Sequence, residues 1–340
     1  MAFTRRNFLK LSGLAPLAGL TFSRLVPADI ILEKKQLLKP KALKRGDTIG
    51  LVAPGSPIYR TSEFAQMLTD LKALGFELKL GKHVRDRRGY LAGNDKNRAS
   101  DVMAMFSDSE VDGIICTRGG WGCNRILPLL DFDLIKNNPK VFMGFSDITS
   151  LHMAIQKNSG LVTFHGPVGK SVWTDFTTQS FINTIWAAKR EVHSIPDKEE
   201  DEFTITEGTS QGKLLGGNLS VLVSMIGSGY LPSFKNAILF LEDIGENVYR
   251  IDRMLTQLKL AGILDEIAGF VFGKCTDCSA GENSLTLKQV FDDHIKPLQI
   301  PAFYGAMISH EDDNITLPVG LKAEINARTK TIRLLETAVN

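Results

Sequence analysis

A strand and a helix meet at Gly144-Phe145-Ser146-Asp147, and this junction constrains the fold more than any other stretch. Residues 141–143 are a short apolar run typical of a buried strand, and residues 151–156 have apolar positions with helical spacing. A serine on so sharp a turn projects its hydroxyl beside the unpaired N–H groups of a helix, as in a nucleophile elbow. On this segment alone, capping of the helix by Ser146 or Asp147 is the commoner outcome.

The elements around this junction predict a doubly wound α/β domain over residues 47–170. Strands and helices alternate there, which indicates a mainly parallel sheet covered on both faces. Functional groups in such sheets gather in the loops after the strands. Loops rich in glycine or turn-forming residues follow strands at 54–57, 118–122, 144–147 and 165–167. Their shared location favours the nucleophile elbow.

The rest of the chain predicts a second, smaller unit of α+β or barrel-like form over residues 210–340. Residues 171–209, with one helix and a polar acidic segment, are predicted to connect the two domains. In the second unit Asn218 is expected to cap a helix, Glu242 ends an apolar strand, and His310 lies in a loop between short strands. Taken singly, a buried Glu is more often an ion pair and a lone His more often structural.

The first 28 residues match a twin-arginine export signal. Residues 4–10 contain the Arg5-Arg6 pair, the apolar stretch that follows is too short and weak to span a membrane stably, and residues 26–28 fit a cleavage site. We therefore expect a periplasmic or extracytoplasmic protein without stable membrane insertion after processing. Residues 29–46 are predicted to be a basic tether.

Charge and cysteine content exclude other classes. The net charge of +2 depends on the signal segment: of 40 basic residues four lie there, leaving 36 against 38 acidic residues, so nucleic-acid binding is not expected. Four cysteines are too few for a disulfide framework. Cys275 and Cys278 lack the second pair of a zinc finger, which favours packing cysteines or one local disulfide.

The glycine loop 119–122 carries no cofactor signature. It lacks both the G-x-G-x-x-G spacing and a G-K-[ST] phosphate loop, so no cofactor is predicted. What remains is a bare backbone that can approach a ligand closely and direct N–H groups at it, or a plain turn.

Eight motifs in order resemble the murein LD-carboxypeptidase family of serine peptidases, over about residues 47–327. They are V-A-P-G-S-P (52–57), R-G-G-W-G (118–122), G-F-S-D (144–147), H-G-P (165–167), G-G-N-L (216–219), L-E-D-I (241–244), the helix carrying Arg250, Arg253 and Met254, and H-x-x-x-N-x-T-L-P-x-G (310–320). The resemblance implies that Ser146 is the nucleophile, His310 the general base, and Glu242 the group that orients the histidine.

The same resemblance implies the rest of the site. The expected oxyanion donors are the backbone N–H groups of Asp147 and Gly120. No bound metal is expected, and the protein is expected to form a homodimer. The residues expected to contact substrate are Arg118, Gly119, Trp121 and Asn218.

The implied reaction releases terminal D-Ala from a murein tetrapeptide or muropeptide by hydrolysis of its amide with the L-centre of the diamino acid. Trp121 replaces the family's usual Tyr, and Ser309 precedes His310 where Gly is common. The alternatives are a microcin C immunity-type peptidase of the same family, which cleaves a peptidyl-nucleotide analogue, and a non-catalytic periplasmic muropeptide-binding protein. A zinc carboxypeptidase using His310, Glu311 and the acids beside it fits poorly, since no H-E-x-x-H spacing occurs.

Overall fold

The structure, a computed structural model, describes residues 37–196 and 201–340. The predicted signal peptide and the part of the predicted tether before residue 37 lie outside the described residues. Within the described ranges, no helix has both the length and the apolar character needed to cross a bilayer.

The elements follow in chain order. The strands are β1 (Thr48–Val52), β2 (Glu77–Leu80), β3 (Gly113–Cys116), β4 (Val141–Gly144), β5 (Thr163–His165), β6 (Val192–Ser194), β7 (Phe203–Thr206), β8 (Thr209–Asn218), β9 (Ala237–Ile244), β10 (Gly269–Thr276), β11 (Ala302–Tyr304), β12 (Leu317–Val319), β13 (Lys322–Asn326) and β14 (Thr331–Leu334). The α-helices are α1 (Thr61–Ala73), α2 (Asp95–Ser107), α3 (Phe132–Asn137), α4 (Thr149–Ser159), α5 (Asp175–Phe181), α6 (Leu219–Ser224), α7 (Val248–Leu260), α8 (Ile263–Glu266) and α9 (Leu287–His294). Short 3₁₀ helices lie at Cys123–Leu129, Ser146–Ile148 and Lys296–Leu298, and a π-helical turn at Ile182–Trp186.

Two sheets organise these elements, which confirms the predicted α/β class. The first has six strands in the order β12-β5-β4-β3-β1-β2, and β2, β1, β3, β4 and β5 run parallel. The second has eight strands in the order β6-β14-β13-β8-β9-β10-β11-β7. Its centre, β8 to β11, is parallel, and its flanking strands are antiparallel. Because its order runs from an edge at β6 to an edge at β7, it is an open sheet and not a barrel.

Helix α4 brings the two sheets together at the site. It contacts β5 and β12 of the first sheet and β8 of the second. For that reason nearly its whole circumference is buried, whereas a surface helix buries only one apolar stripe. At its first turn the Thr149 hydroxyl accepts a hydrogen bond from the backbone N–H of Asn218 at 2.9 Å. The helix ends at Ser159 and is followed by Gly160, whose left-handed φ of 77° suits glycine.

The structure corrects three predicted boundaries. The predicted connection 171–209 supplies β6 and β7, the edge strands of the second sheet, and β12 from the predicted second unit pairs antiparallel with β5 of the first sheet. The predicted tether is docked from residue 37 onward. Leu38 pairs with the chain beside Leu161, and Leu43 is only 2% exposed. Burial of Leu43 and partial burial of Leu38, despite the lysines between them, make the segment part of the fold.

The four cysteines are used in two ways. Cys275 and Cys278 form a disulfide at the end of β10, which selects the local disulfide from the two alternatives. Cys116 and Cys123 are buried thiols beneath the glycine loop, and burial, with the charge of Asp147, raises the pKa of each well above its usual value.

Candidate active site

Ser146 stands on a strained turn at the end of β4. Its φ of 63° lies in the left-handed region, which costs a residue with a side chain on the order of 1 kcal/mol. The capping interpretation is wrong, because neither the 3₁₀ helix that begins at Ser146 nor α4 has a side-chain cap. Asp147 instead accepts the backbone N–H of Cys123 at 2.8 Å. The Ser146 hydroxyl is thus presented by the backbone, as in a nucleophile elbow.

Gly119 packs its backbone directly against this turn. A Cβ on Gly119 would lie 2.8 Å from the Cβ of Ser146 and 3.1 Å from the carbonyl oxygen of Phe145. These contacts are closer than side chains tolerate, so only glycine fits without moving the Ser146 turn.

The neighbouring residue Gly120 is held against the loop after β1. It has a φ of 99°, and a Cβ there would lie 2.3 Å from the hydroxyl oxygen of Ser56. Ser56 donates its N–H to the Gly119 carbonyl at 3.0 Å and accepts the N–H of Trp121 at 3.1 Å. These contacts fix the glycine loop beside Ser146.

Glu242 and His310 form a hydrogen-bonded pair. The Oε2 atom of Glu242 lies 2.7 Å from Nδ1 of His310, and Glu242 is fully buried. A proton held on Nδ1 by the carboxylate leaves Nε2 with the free lone pair, which is the tautomer a general base requires. The His310 ring also lies 4.8 Å from the ring of Phe145, in the edge-to-face arrangement.

Asn218 supports Glu242 from behind. Its Nδ2 donates to Oε1 of Glu242 at 3.2 Å and to Oδ1 of Asp243 at 3.0 Å, while its Oδ1 accepts the N–H of Val221 and caps α6 as predicted. Ser220 donates its N–H and hydroxyl to Asp243. The expectation that Asn218 contacts substrate therefore does not match its position, because its side chain is buried and committed to these partners.

An open cavity of about 490 Å³ collects most of the predicted residues. Its lining includes Arg118, Gly119, Gly120, Ser146 and His310. Glu242 and Asp147 lie behind this lining, each joined to it through a neighbour. Trp121 is not part of the lining; it is half exposed and packs edge-to-face on Tyr90, with ring centroids 5.5 Å apart.

The cavity is also lined by residues that the sequence did not predict to contact substrate: Phe145, Val168, Lys170, Ser171, Val172, Ile244, Glu311 and Asp312. Phe145 and Ile244 lie inside the motifs at 144–147 and 241–244, and Glu311 adjoins His310. Their place in or beside the motifs is the one signal in the sequence which points to them. Within residues 37–196 and 201–340, no group of three or more His, Cys, Asp or Glu is arranged to hold a metal ion.

Burial and charge act in opposite directions on His310. Burial alone would lower the pKa of His310, but the charge and hydrogen bond of Glu242, together with the charge of Asp243, raise it above its ordinary value. Burial and the charge of Glu242 raise the pKa of Asp243 to about 6, against the hydrogen bonds from Ile244, Ser220 and Asn218.

The sequence and this geometry match known proteins over nearly the whole described chain. The family model of the LD-carboxypeptidase N-terminal domain matches residues 49–166, and that of the C-terminal domain matches residues 211–325. Over 306 residues the chain is 42% identical to the probable murein peptide carboxypeptidase of Bacillus subtilis (strain 168), covering 86% of this chain and 93% of the relative. The chain belongs to the LD-carboxypeptidase family.

Solved structures related to LD-carboxypeptidases share its fold. The structure of MccF in complex with glutamyl sulfamoyl guanosine superposes with a TM-score of 0.84 at 27% identity, covering 89% of this chain and 100% of that one. The muramoyltetrapeptide carboxypeptidase from Oxalobacter formigenes superposes with a TM-score of 0.75 at 30% identity, covering 84% and 97%. Family membership makes this chain a serine-type carboxypeptidase, as the sequence analysis predicts.

Proposed function

We propose that the protein hydrolyses the amide between the L-centre of the diamino acid and the terminal D-Ala of murein tetrapeptides, with Ser146, His310 and Glu242 as its catalytic triad. One observation carries this proposal: the buried Glu242 carboxylate holds Nδ1 of His310 at 2.7 Å, and His310 shares a cavity with the strained Ser146. The names of the relatives in Bacillus subtilis and Oxalobacter formigenes support the substrate class.

The reaction proceeds in two halves. His310 takes the proton of the Ser146 hydroxyl at Nε2, and the oxygen attacks the scissile carbonyl carbon. The N–H groups of Asp147 and Gly120 stabilise the resulting oxyanion, a contribution of about 3 kcal/mol for each donor. The C–N bond then breaks as His310 returns its proton to the amine of D-Ala. Water, activated by the same histidine, hydrolyses the ester left on Ser146.

Arg118 binds the carboxylate of the terminal D-Ala. It lines the cavity, and among the described residues it joins no ion pair, although Nη1 donates to the carbonyl of Pro57 at 3.3 Å. Lys170, the other cation of the lining, is already paired with Glu63 at 2.9 Å. Amidation of the terminal carboxyl group, or extension to a pentapeptide, should therefore cost most of kcat/KM. Comparable values for the three peptides would contradict this account of specificity.

Release of D-Ala from purified tetrapeptide, with and without a chelator, tests the activity. We expect release that resists the chelator and is absent in Ser146→Ala. The competing substrate is a peptidyl-nucleotide analogue, because the fold matches MccF in complex with glutamyl sulfamoyl guanosine. Cleavage of that analogue with no D-Ala release would favour the immunity-type activity, and no cleavage of either would favour a binding protein.

Export and assembly complete the proposal. The protein works outside the cytoplasm after twin-arginine export, on the basis of Arg5-Arg6 and the stretch that follows. Replacing both arginines by lysine should leave uncleaved precursor in the cytosol, whereas full-length wild-type protein in the cytosol would contradict export. From the family resemblance we also propose a homodimer, and a monomeric mass in sedimentation would contradict that.

A further inference from the structure

The catalytic cavity carries charges of both signs from different parts of the chain. Arg118 and Lys170 come from loops that follow β3 and β5, whereas Glu311 and Asp312 directly follow His310. Among the described residues, no ion pair within 4 Å joins the two sets. The cavity therefore suits a ligand that carries a positive and a negative group at separate positions.

The two acids of the lining differ in their partners. Glu311 is paired with Lys274, whose Nζ lies 3.1 Å from Oε2 of Glu311. The Asp312 carboxylate takes part in none of the ion pairs or hydrogen bonds found within the described ranges, and Asp312 is exposed at the cavity. A ligand cation can bind Asp312 without displacing a protein cation, which is not true of Glu311.

The backbone around Asp312 is held on both sides. The buried Thr177 hydroxyl donates to the Asp312 carbonyl at 3.0 Å and accepts the N–H of Asn314 at 2.9 Å. The Nδ2 of Asn314, itself 3% exposed, donates to the Ser309 carbonyl at 3.1 Å. The backbone of the loop that carries His310 is thus held by buried side chains, so the point from which the Asp312 side chain projects is fixed before substrate arrives.

The substrate of the proposed function has the matching charges. Beside the scissile bond, its terminal carboxylate is negative and the side-chain amine of its diamino acid is an ammonium whenever that amine is not acylated. We propose that Asp312 binds this free ammonium, so that the enzyme selects tetrapeptides with an unmodified side-chain amine over those in which the amine is acylated, as in cross-linked murein. This inference rests on the proposed function.

The test compares kcat/KM for two tetrapeptides, one with a free side-chain amine and one with the same amine acetylated. We expect the wild-type enzyme to prefer the free amine by about fivefold, the size of a partly exposed ion pair, and the preference to shrink as salt rises. Asp312→Asn removes the charge and keeps the shape, and it should reduce the preference to less than about twofold. A wild-type preference that is absent, or that does not respond to salt, would overturn the proposal without any variant.

Two control variants separate the role of Asp312 from general effects of charge. Asp175→Asn, which removes the same charge at the start of α5 and outside this cavity, should keep the full preference. Glu311→Gln should keep most of it, because Glu311 is paired with Lys274. Loss of the preference in either control but not in Asp312→Asn would refute the assignment. Absence of D-Ala release from both peptides would instead contradict the proposed function itself.

Discussion

The two halves of the active site are held in place by different means. On the first sheet, Ser146 is positioned by the backbone. It follows β4 with a left-handed φ, and the backbone of Gly119 packs directly against its turn. On the second sheet, His310 is positioned by side chains, through buried Glu242 and the Asn218 behind it. The position of a backbone-held group does not depend on protonation, whereas a chain of buried polar side chains depends on the charge of Glu242 and on every hydrogen bond along it.

This difference has a consequence for mutation and pH. Changes that remove a side chain on the first half should abolish chemistry and leave its geometry intact. Changes on the second half should alter both the orientation and the basicity of His310. Four experiments test this difference between the two halves.

The largest effect is expected at Ser146. Ser146→Ala should lower kcat by about 10⁶-fold and change the free energy of unfolding little, since its hydroxyl caps no helix. Ser146→Gly should be equally inactive but more stable than Ser146→Ala by about 1 kcal/mol, because glycine adopts the left-handed φ without strain. The measurements are D-Ala release and denaturant unfolding. Equal stability of the two variants would mean that the turn is not strained.

The next largest loss of activity is expected from changes to the hydrogen-bonded pair of His310 and Glu242. His310→Ala should cost kcat nearly as much as Ser146→Ala, and Glu242→Ala on the order of 10⁴-fold, because residues that act as a unit share one step. Combining either with Ser146→Ala should then add almost nothing. Rates of the single and double variants, measured on one tetrapeptide, provide the check. Multiplicative losses would show that the two halves work independently.

Much of this site could be predicted from the sequence because its signals are local. The strand, turn and helix from residue 141 to 159, and the cap at Asn218, follow from patterns within one element. The pairing of β12 with β5 could not be predicted, since two three-residue strands so far apart leave no periodicity. Lys170 and Asp312 were missed for a related reason: nothing in their local sequence shows that folding places them at one cavity.

Gly119→Ala tests the backbone-held half without touching a functional side chain. The added methyl group would lie 2.8 Å from the Cβ of Ser146, so the turn or the loop must move, and we expect kcat to fall about 100-fold. The matched control is Gly262→Ala, which has a φ of 76° and no atom within 4 Å of the new Cβ. It should lose about 1 kcal/mol of stability and keep its kcat. Equal kcat values for both variants would show that Gly119 does not position Ser146.

The smallest effect is a shift in the titration of His310, and it tests the side-chain-held half directly. The Glu242 carboxylate holds the pKa of His310 above its usual value against burial, so the wild-type rate should rise as pH passes through that raised pKa and the histidine loses its proton. In Glu242→Gln, His310 stays buried but loses the attraction of a negative charge for its protonated form. The pKa of His310 should therefore fall, and the acid limb of kcat/KM should move to lower pH.

Asp243→Asn should shift the same limb in the same direction but less, because the charge of Asp243 is the weaker of the two acting on His310. Titration of the His310 ring by NMR in a Ser146→Ala background measures the shift without depending on residual activity, and His310→Gln identifies the signal. An unchanged or raised pKa in Glu242→Gln would mean that the carboxylate orients the ring without setting its basicity. The second half would then be held by geometry alone, as the first half is.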